Sequence, residues 1–224
     1  MTDAELDELL TNCPKLYHMA AAGSWPGIKK RGLLSTTALL DLYGVSGTER
    51  RNIEAERRPK SVALSAKGLP KAFVRDQLPM DDKGLVRCLT DGLSPTMWYR
   101  LLNGRVFFWL TRERLLRLLN AGVYQSEEHD VLELSARALV AAYKDRIWLC
   151  PMNSGSTKPF PHSRGKNTFA RISDYPYTHW KAKRTRGERV VELAVDYAVP
   201  DVANFVTAVR RMKAGKTIKV LFSR

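Results

Sequence analysis

The chain has 224 residues, 44% hydrophobic and 27% charged, with a net charge of +14 and a pI near 9.9. That composition suits a folded globular protein with one good core and excludes a disordered tail. No apolar run approaches the roughly 18 residues of a membrane helix, so no membrane association is expected. Three widely spaced cysteines (Cys13, Cys88, Cys150) argue against a disulfide framework, and with four scattered histidines no metal site is expected. The acidic, amphipathic start MTDAELDELL lacks the basic and apolar regions of an export signal, so a reducing, cytoplasmic location is expected.

In chain order, residues 3–11 predict an amphipathic helix, with Leu6, Leu9 and Leu10 on one face. Residues 15–19 predict a strand, and 24–32 a helix started by Pro26 and closed by Gly32. Residues 48–58, TERRNIEAERR, are helical by propensity. Residues 59–104 read as an irregular insertion with a short helix around 95–103. Val106–Leu110 is a dense run of β-formers and predicts a buried strand. A helix over 112–120, a strand over 131–134, a helix over 135–145 with Ser135 as N-cap and a strand over 147–150 follow. The stretch 151–189 has no clear period. A strand over 189–195, a helix over 200–213 and a strand over 217–222 complete one mixed α/β domain spanning 1–224. No glycine-rich phosphate loop is present.

The positive charge is local. Residues 1–140 carry 20 basic and 17 acidic side chains, whereas 141–224 carry 17 and 6. The stretch 158–189 holds nine basic and two acidic residues, interleaved with Phe160, Phe169, Tyr175, Tyr177 and Trp180. Cations neutralise phosphates and rings stack on unpaired bases, so the pattern points to nucleic acid; a solvated surface loop is the plainer alternative.

Three polar residues stand where polarity is costly or charge is dense. His18 ends an early apolar strand, Arg51 lies in the ERRN run, and Glu192 interrupts the strand VVELAV. Taken alone, Glu192 reads more readily as the outward residue of an alternating strand, and His18 as structural. Their order is more informative. The chain resembles the DarT-like DNA ADP-ribosyltransferases, of the superfamily that also includes RNA 2′-phosphotransferases. The likeness runs through Leu16-Tyr17-His18, Ile28 to Gly32-Leu33-Leu34, Glu49-Arg50-Arg51-Asn52 and Phe107 to Arg112. It continues through the strand–helix–strand of 131–147 and closes at Val191-Glu192-Leu193-Ala194-Val195 with Val199-Pro200. Two departures stand out: His18-Met19-Ala20 replaces the family's His-x-Thr, and 59–104 is longer than its counterpart.

The resemblance implies a split-sheet ADP-ribosyltransferase fold and transfer of ADP-ribose from NAD to a base of single-stranded DNA (or RNA), as in bacterial toxins and phage-defence effectors. An antitoxin or ADP-ribosyl hydrolase partner is implied with it. It assigns Glu192 and Arg51 to catalysis. It assigns His18, Met19, Arg51, Phe108, Trp109 and Asn153, with Ser154 beside it, to the dinucleotide. Arg164, Lys166, Arg171, Lys183, Arg184 and Arg186 would meet the nucleic acid on a substrate loop over 151–189. Competing expectations are an RNA or protein acceptor, and a non-enzymatic nucleic-acid-binding module in which Glu192 is an ordinary strand residue.

Overall fold

The computed structural model describes residues 1–224. The front half contains α1 (Asp3–Asn12), β1 (Lys15–Ala21), α2 (Trp25–Arg31), β2 (Leu33–Leu34), α3 (Thr36–Leu42) and α4 (Gly47–Glu54). The insertion folds as a hairpin, β3 (Val62–Leu64) and β4 (Ala72–Val74), followed by α5 (Asp82–Cys88) and α6 (Pro95–Asn103). Then come β5 (Arg105–Trp109), α7 (Arg112–Leu119), β6 (Glu128–Ser135), α8 (Ala136–Tyr143), β7 (Ile147–Cys150), β8 (Ala170–Arg171) and α9 (Tyr177–Lys183). The chain finishes with β9 (Glu192–Asp196), β10 (Ala198–Val199), β11 (Val206–Lys213) and β12 (Lys216–Ser223).

Eight strands form one antiparallel sheet in the order β12-β11-β6-β1-β5-β9-β7-β8. The architecture is mixed α/β, as the alternation of patterns predicts. Local chemistry starts the helices. Thr2 and Glu5 form a reciprocal capping box on α1, and Ser135 accepts the Ala138 N–H to open α8. Side chains alternate across the strands, so the sheet has two different faces. One buries the main core, with Leu16, Phe108, Leu132, Leu134, Leu149, Leu193 and Val195 packed against α1 and α8. The other carries two smaller clusters. Tyr17, Met19, Val131 and Met212 lie under Leu115 and Leu119 of α7. Cys150 and Phe169 lie against Leu85 of α5 and Trp98, Tyr99 and Leu102 of α6. Between these two clusters the second face is open.

The helix expected over 200–213 is not formed. A 3₁₀ turn at Val202–Asn204 leads directly into β11. The segment VTAVRRMK carries apolar residues at spacings that suit both periods, so periodicity alone misreads it. Pairing with β6 decides the outcome: Arg210 and Arg211 face Glu133 and Asp130, and register shifts absorb the irregular spacing. The 48–58 helix ends at Glu54, and the short α3 carries no strong sequence signal.

Gly32 closes α2 with φ +87°, a conformation that favours glycine. A Cβ there would sit 2.4 Å from Pro200 Cα and 2.7 Å from both Pro200 O and Val199 O, because β2 pairs tightly with β10. Gly32→Ala is therefore expected to cost about 2–4 kcal/mol, from backbone strain plus overpacking. Urea denaturation measures this; a loss below about 1 kcal/mol would mean that the β2–β10 contact yields freely.

Candidate active site

The open stretch of sheet begins where β1 and β5 part. Their register comprises one pair, Tyr17 opposite Trp109, whereas β1 and β6 pair over seven residues. A cleft of about 380 Å³ fills the gap. Its walls come from β1, the α2–β2 corner, the β3–β4 hairpin, β5, the 153–155 turn and Glu192 of β9. The parting strands leave Phe107 O to the His18 side chain, whose Nδ1 lies 2.8 Å from it. Only a protonated Nδ1 makes that bond. Burial, with the Arg75 charge adding to it, holds the imidazole pKa down at about 4, although the Phe107 contact opposes this. His18 is therefore neutral at pH 7, with hydrogen on Nδ1 and a free Nε2 lone pair that can accept a hydroxyl.

Glu192 stands at the first position of β9, between Trp109 of β5 and Cys150 of β7. It is 4% exposed. The Ser154 N–H reaches both carboxylate oxygens, at 3.2 and 3.1 Å. Burial pushes its pKa up to about 7, outweighing Ser154 and the charges of Arg164 and Arg114, which pull the other way. A carboxyl poised near neutrality in a cleft is suited to proton transfer.

The remaining sequence-predicted residues divide. Met19, Phe108, Trp109, Asn153 and Ser154 line the cleft with His18 and Glu192. Phe108 is 1% exposed and belongs to the main core, backing the His18 ring at 5.8 Å. Trp109, on the Glu192 side of the strand, is the more exposed of the two rings. Arg51 needs correction: it is exposed on α4 and does not line the cleft. Its neighbour Arg50 is tied to Asp41 and Glu54. Helical geometry turns adjacent residues by about 100°, and the sequence does not say which arginine faces inward. The cleft instead contains Arg31, Arg58, Lys71, Arg75 and Arg105, which sequence reasoning missed because no motif marks them. Arg58 is spent on structure, bonded to Arg75 O, Ile53 O and Asn103. Arg31 and Arg75 are freer. The buried Arg31 Nε has no partner, and Arg75 makes one long bond, 3.5 Å to Met19 O, while lying over the Tyr124 ring.

The basic stretch also needs correction. Arg164 is 1% exposed and donates to His162 O, Ser154 O and Ser156 O. Arg184 donates to Pro151 O and Glu188 O and stacks on Trp180. Arg171 pairs with Asp196 and stacks on Trp148. These three cations hold the segment together; Lys166, Lys183 and Arg186 are exposed. The segment is also knitted to the insertion. Thr157 N–H donates to Pro79 O, Asp81 N–H to Thr157 Oγ1, and Arg164 N–H to Cys88 O, while Thr90 N–H donates to Arg164 O. Trp98 Nε1 of α6 meets Ser154 O, the carbonyl that Arg164 also binds.

A model described as a family of unknown function, DUF7002, matches residues 14–206. The chain belongs to that family. No curated protein matches this DUF7002 member by sequence. Among solved structures, the DarT of Thermus sp. 2.9 in complex with NAD+ is similar, at 15% identity and a TM-score of 0.42. The match covers 88% of this chain and 81% of that one. No helix is long and apolar enough to cross a membrane, and no cluster of three or more potential metal ligands is present.

Two outcomes are expected from this geometry. Folding raises the Glu192 pKa from 4.5 to about 7, so the native state holds a proton that the unfolded chain releases between those values. Its stabilising contribution is complete below pH 4.5 and disappears as pH rises through about 7. In paired melting curves, Glu192→Gln should gain Tm relative to wild type across that window and then run parallel; the opposite trend would show a carboxylate stabilised as the anion. Arg164→Met should cost about 3 kcal/mol by stripping donors from three carbonyls. Chemical denaturation reads that loss, and a neutral result would assign Arg164 to the surface.

Proposed function

We propose that this protein is a NAD-dependent ADP-ribosyltransferase that modifies a nucleobase of single-stranded DNA, in a toxin or phage-defence setting. One observation carries the reading: a neutral imidazole with a free acceptor nitrogen and a strand-borne carboxyl titrating near neutrality line one cleft. The order of motifs along the chain supports it independently.

The chemistry follows from the groups. His18 Nε2 accepts a ribose hydroxyl from the dinucleotide. Arg31 and Arg75 take the place expected of Arg51 beside the pyrophosphate, where their guanidinium forks match paired oxygens. Trp109 offers its face near the nicotinamide end. The C1′–N bond breaks, nicotinamide leaves as a neutral base with the bonding pair, and positive charge grows on the ribose. Ionised Glu192 stabilises that charge more than it stabilises the ground state. A base nitrogen then attacks C1′, and its proton passes to the Glu192 carboxylate. The strand fixes the carboxyl rigidly, and Ser154 N–H fixes its rotation, as a reacting geometry requires. An unpaired base reaches such a cleft most easily, which favours single strands. Exposed Lys166, Lys183 and Arg186 remain available to the phosphates of that strand.

Incubation with NAD and panels of DNA, RNA and protein acceptors, read by mass, tests the proposal. Transfer to DNA bases is expected; transfer to RNA or protein alone would keep the cleft chemistry and replace the acceptor. Glu192→Gln should lower nicotinamide release by about 10²-fold or more with NAD affinity within a few-fold. Because the ionised form acts, kcat/KM should rise about tenfold per pH unit below about 7 and level above it. Full activity in Glu192→Gln, or a profile falling with pH, would remove the carboxylate from the mechanism.

A further inference from the structure

A second cavity, of about 260 Å³, opens beyond the cleft, and Tyr17 lines both. Lys15, Arg112, Arg210, Glu133 and Thr217 complete its polar wall. Glu133 is bound from two sides, by Lys15 at 3.0 Å and by Arg210. Arg112, exposed at the start of α7, makes no ion pair. Three cations thus face one carboxylate that is already engaged. The excess is positive, and the unpaired guanidinium stands at the rim.

The position of this cavity gives the excess a direction. Glu133, Tyr17, Trp109 and Glu192 lie opposite one another on successive strands, β6, β1, β5 and β9. Residues opposite one another across antiparallel strands share a sheet face. Three strand spacings put the pocket about 14 Å from Glu192, with two aromatic residues between. Cations at one end, rings along the path and a reactive carboxyl at the other match a short run of single strand.

We propose that this pocket is a phosphate subsite for the acceptor: Lys15, Arg112 and Arg210 hold a backbone phosphodiester of a single-stranded nucleic acid that runs over the Tyr17–Trp109 row toward Glu192. The direction of the strand rests on the transferase reading; binding in the pocket does not. Glu133 spaces Lys15 and Arg210 apart. The guanidiniums, together with the Tyr17 and Thr217 hydroxyls, supply donors on several sides of one phosphate.

The test is fluorescence anisotropy of a labelled oligothymidylate across a salt series. Lys15→Gln/Arg112→Gln should weaken binding about tenfold or more and reduce the log–log salt slope by about 1.4, two single-strand phosphate contacts. Arg112→Gln alone, at an exposed position without ion-pair partners, should remove about half of that slope and keeps the test valid if the double variant folds poorly. Arg137→Gln, on α8 across the sheet, is the charge-matched control and should stay within about twofold, as expected for a distant exposed cation. Unchanged affinity and slope in the pocket variants would overturn the proposal. So would wild-type protein that fails to bind the oligonucleotide, or that prefers inorganic phosphate or polyglutamate to it. Calorimetric titration with NAD is read separately. Its failure would remove the transferase reading and leave the oligonucleotide result standing.

Discussion

The site depends on two strands that touch at one point and then part. Had β1 and β5 paired along their length, Phe107 O would be consumed in the ladder and His18 would have no fixed partner. The sheet centre would then be sealed. Because they share only the Tyr17–Trp109 pair, the middle of a large antiparallel sheet has an interior edge. Backbone groups at such an edge must be satisfied by side chains or by a ligand. His18 satisfies one of them, and the bond that does so also fixes its tautomer.

Against that opening, Glu192 occupies an unusual position for an acid. It is buried in the sheet and flanked by Trp109 and Cys150. Its nearest polar support is the Ser154 amide rather than a guanidinium. A full salt bridge would drive the carboxyl far down its titration range; a single shared N–H leaves it close to neutrality. The cations that crowd the neighbourhood are spent elsewhere, Arg164 on carbonyls and Arg114 on Glu188.

Much of this was legible in the sequence. The Ser135 N-cap, the β-former run around Phe108 and the Gly32 helix stop each have a local cause and each fold as that cause predicts; Glu192, locally an outward strand residue, is buried instead. Local causes stop short where long-range pairing decides. The VTAVRRMK segment becomes a strand because β6 offers Asp130 and Glu133 to its arginines, a contact separated from it by some 80 residues. The cations that line the cleft were invisible for a similar reason. Arg31 and Arg75 come from a helix end and from the insertion, and nothing in their neighbours marks them. Arg51, by contrast, sits in the most suggestive motif and faces solvent. Charge density likewise misled in the 158–189 stretch, where half of the chosen cations stack on rings or bind carbonyls. Composition reports how many cations a segment has, not how many remain unpaired.

The ties between the 153–164 turn and the insertion have an evolutionary consequence. The amide that steadies Glu192 belongs to a turn whose far side is stitched to Pro79, Asp81, Cys88 and Trp98. The two excursions from the sheet therefore form a single structural unit. A recombinant that exchanged one of them with a distant relative would keep His18, Trp109 and Glu192 and still leave the carboxyl free to swing. Diversification of the surface around the cleft is thus expected to proceed by paired changes in both segments.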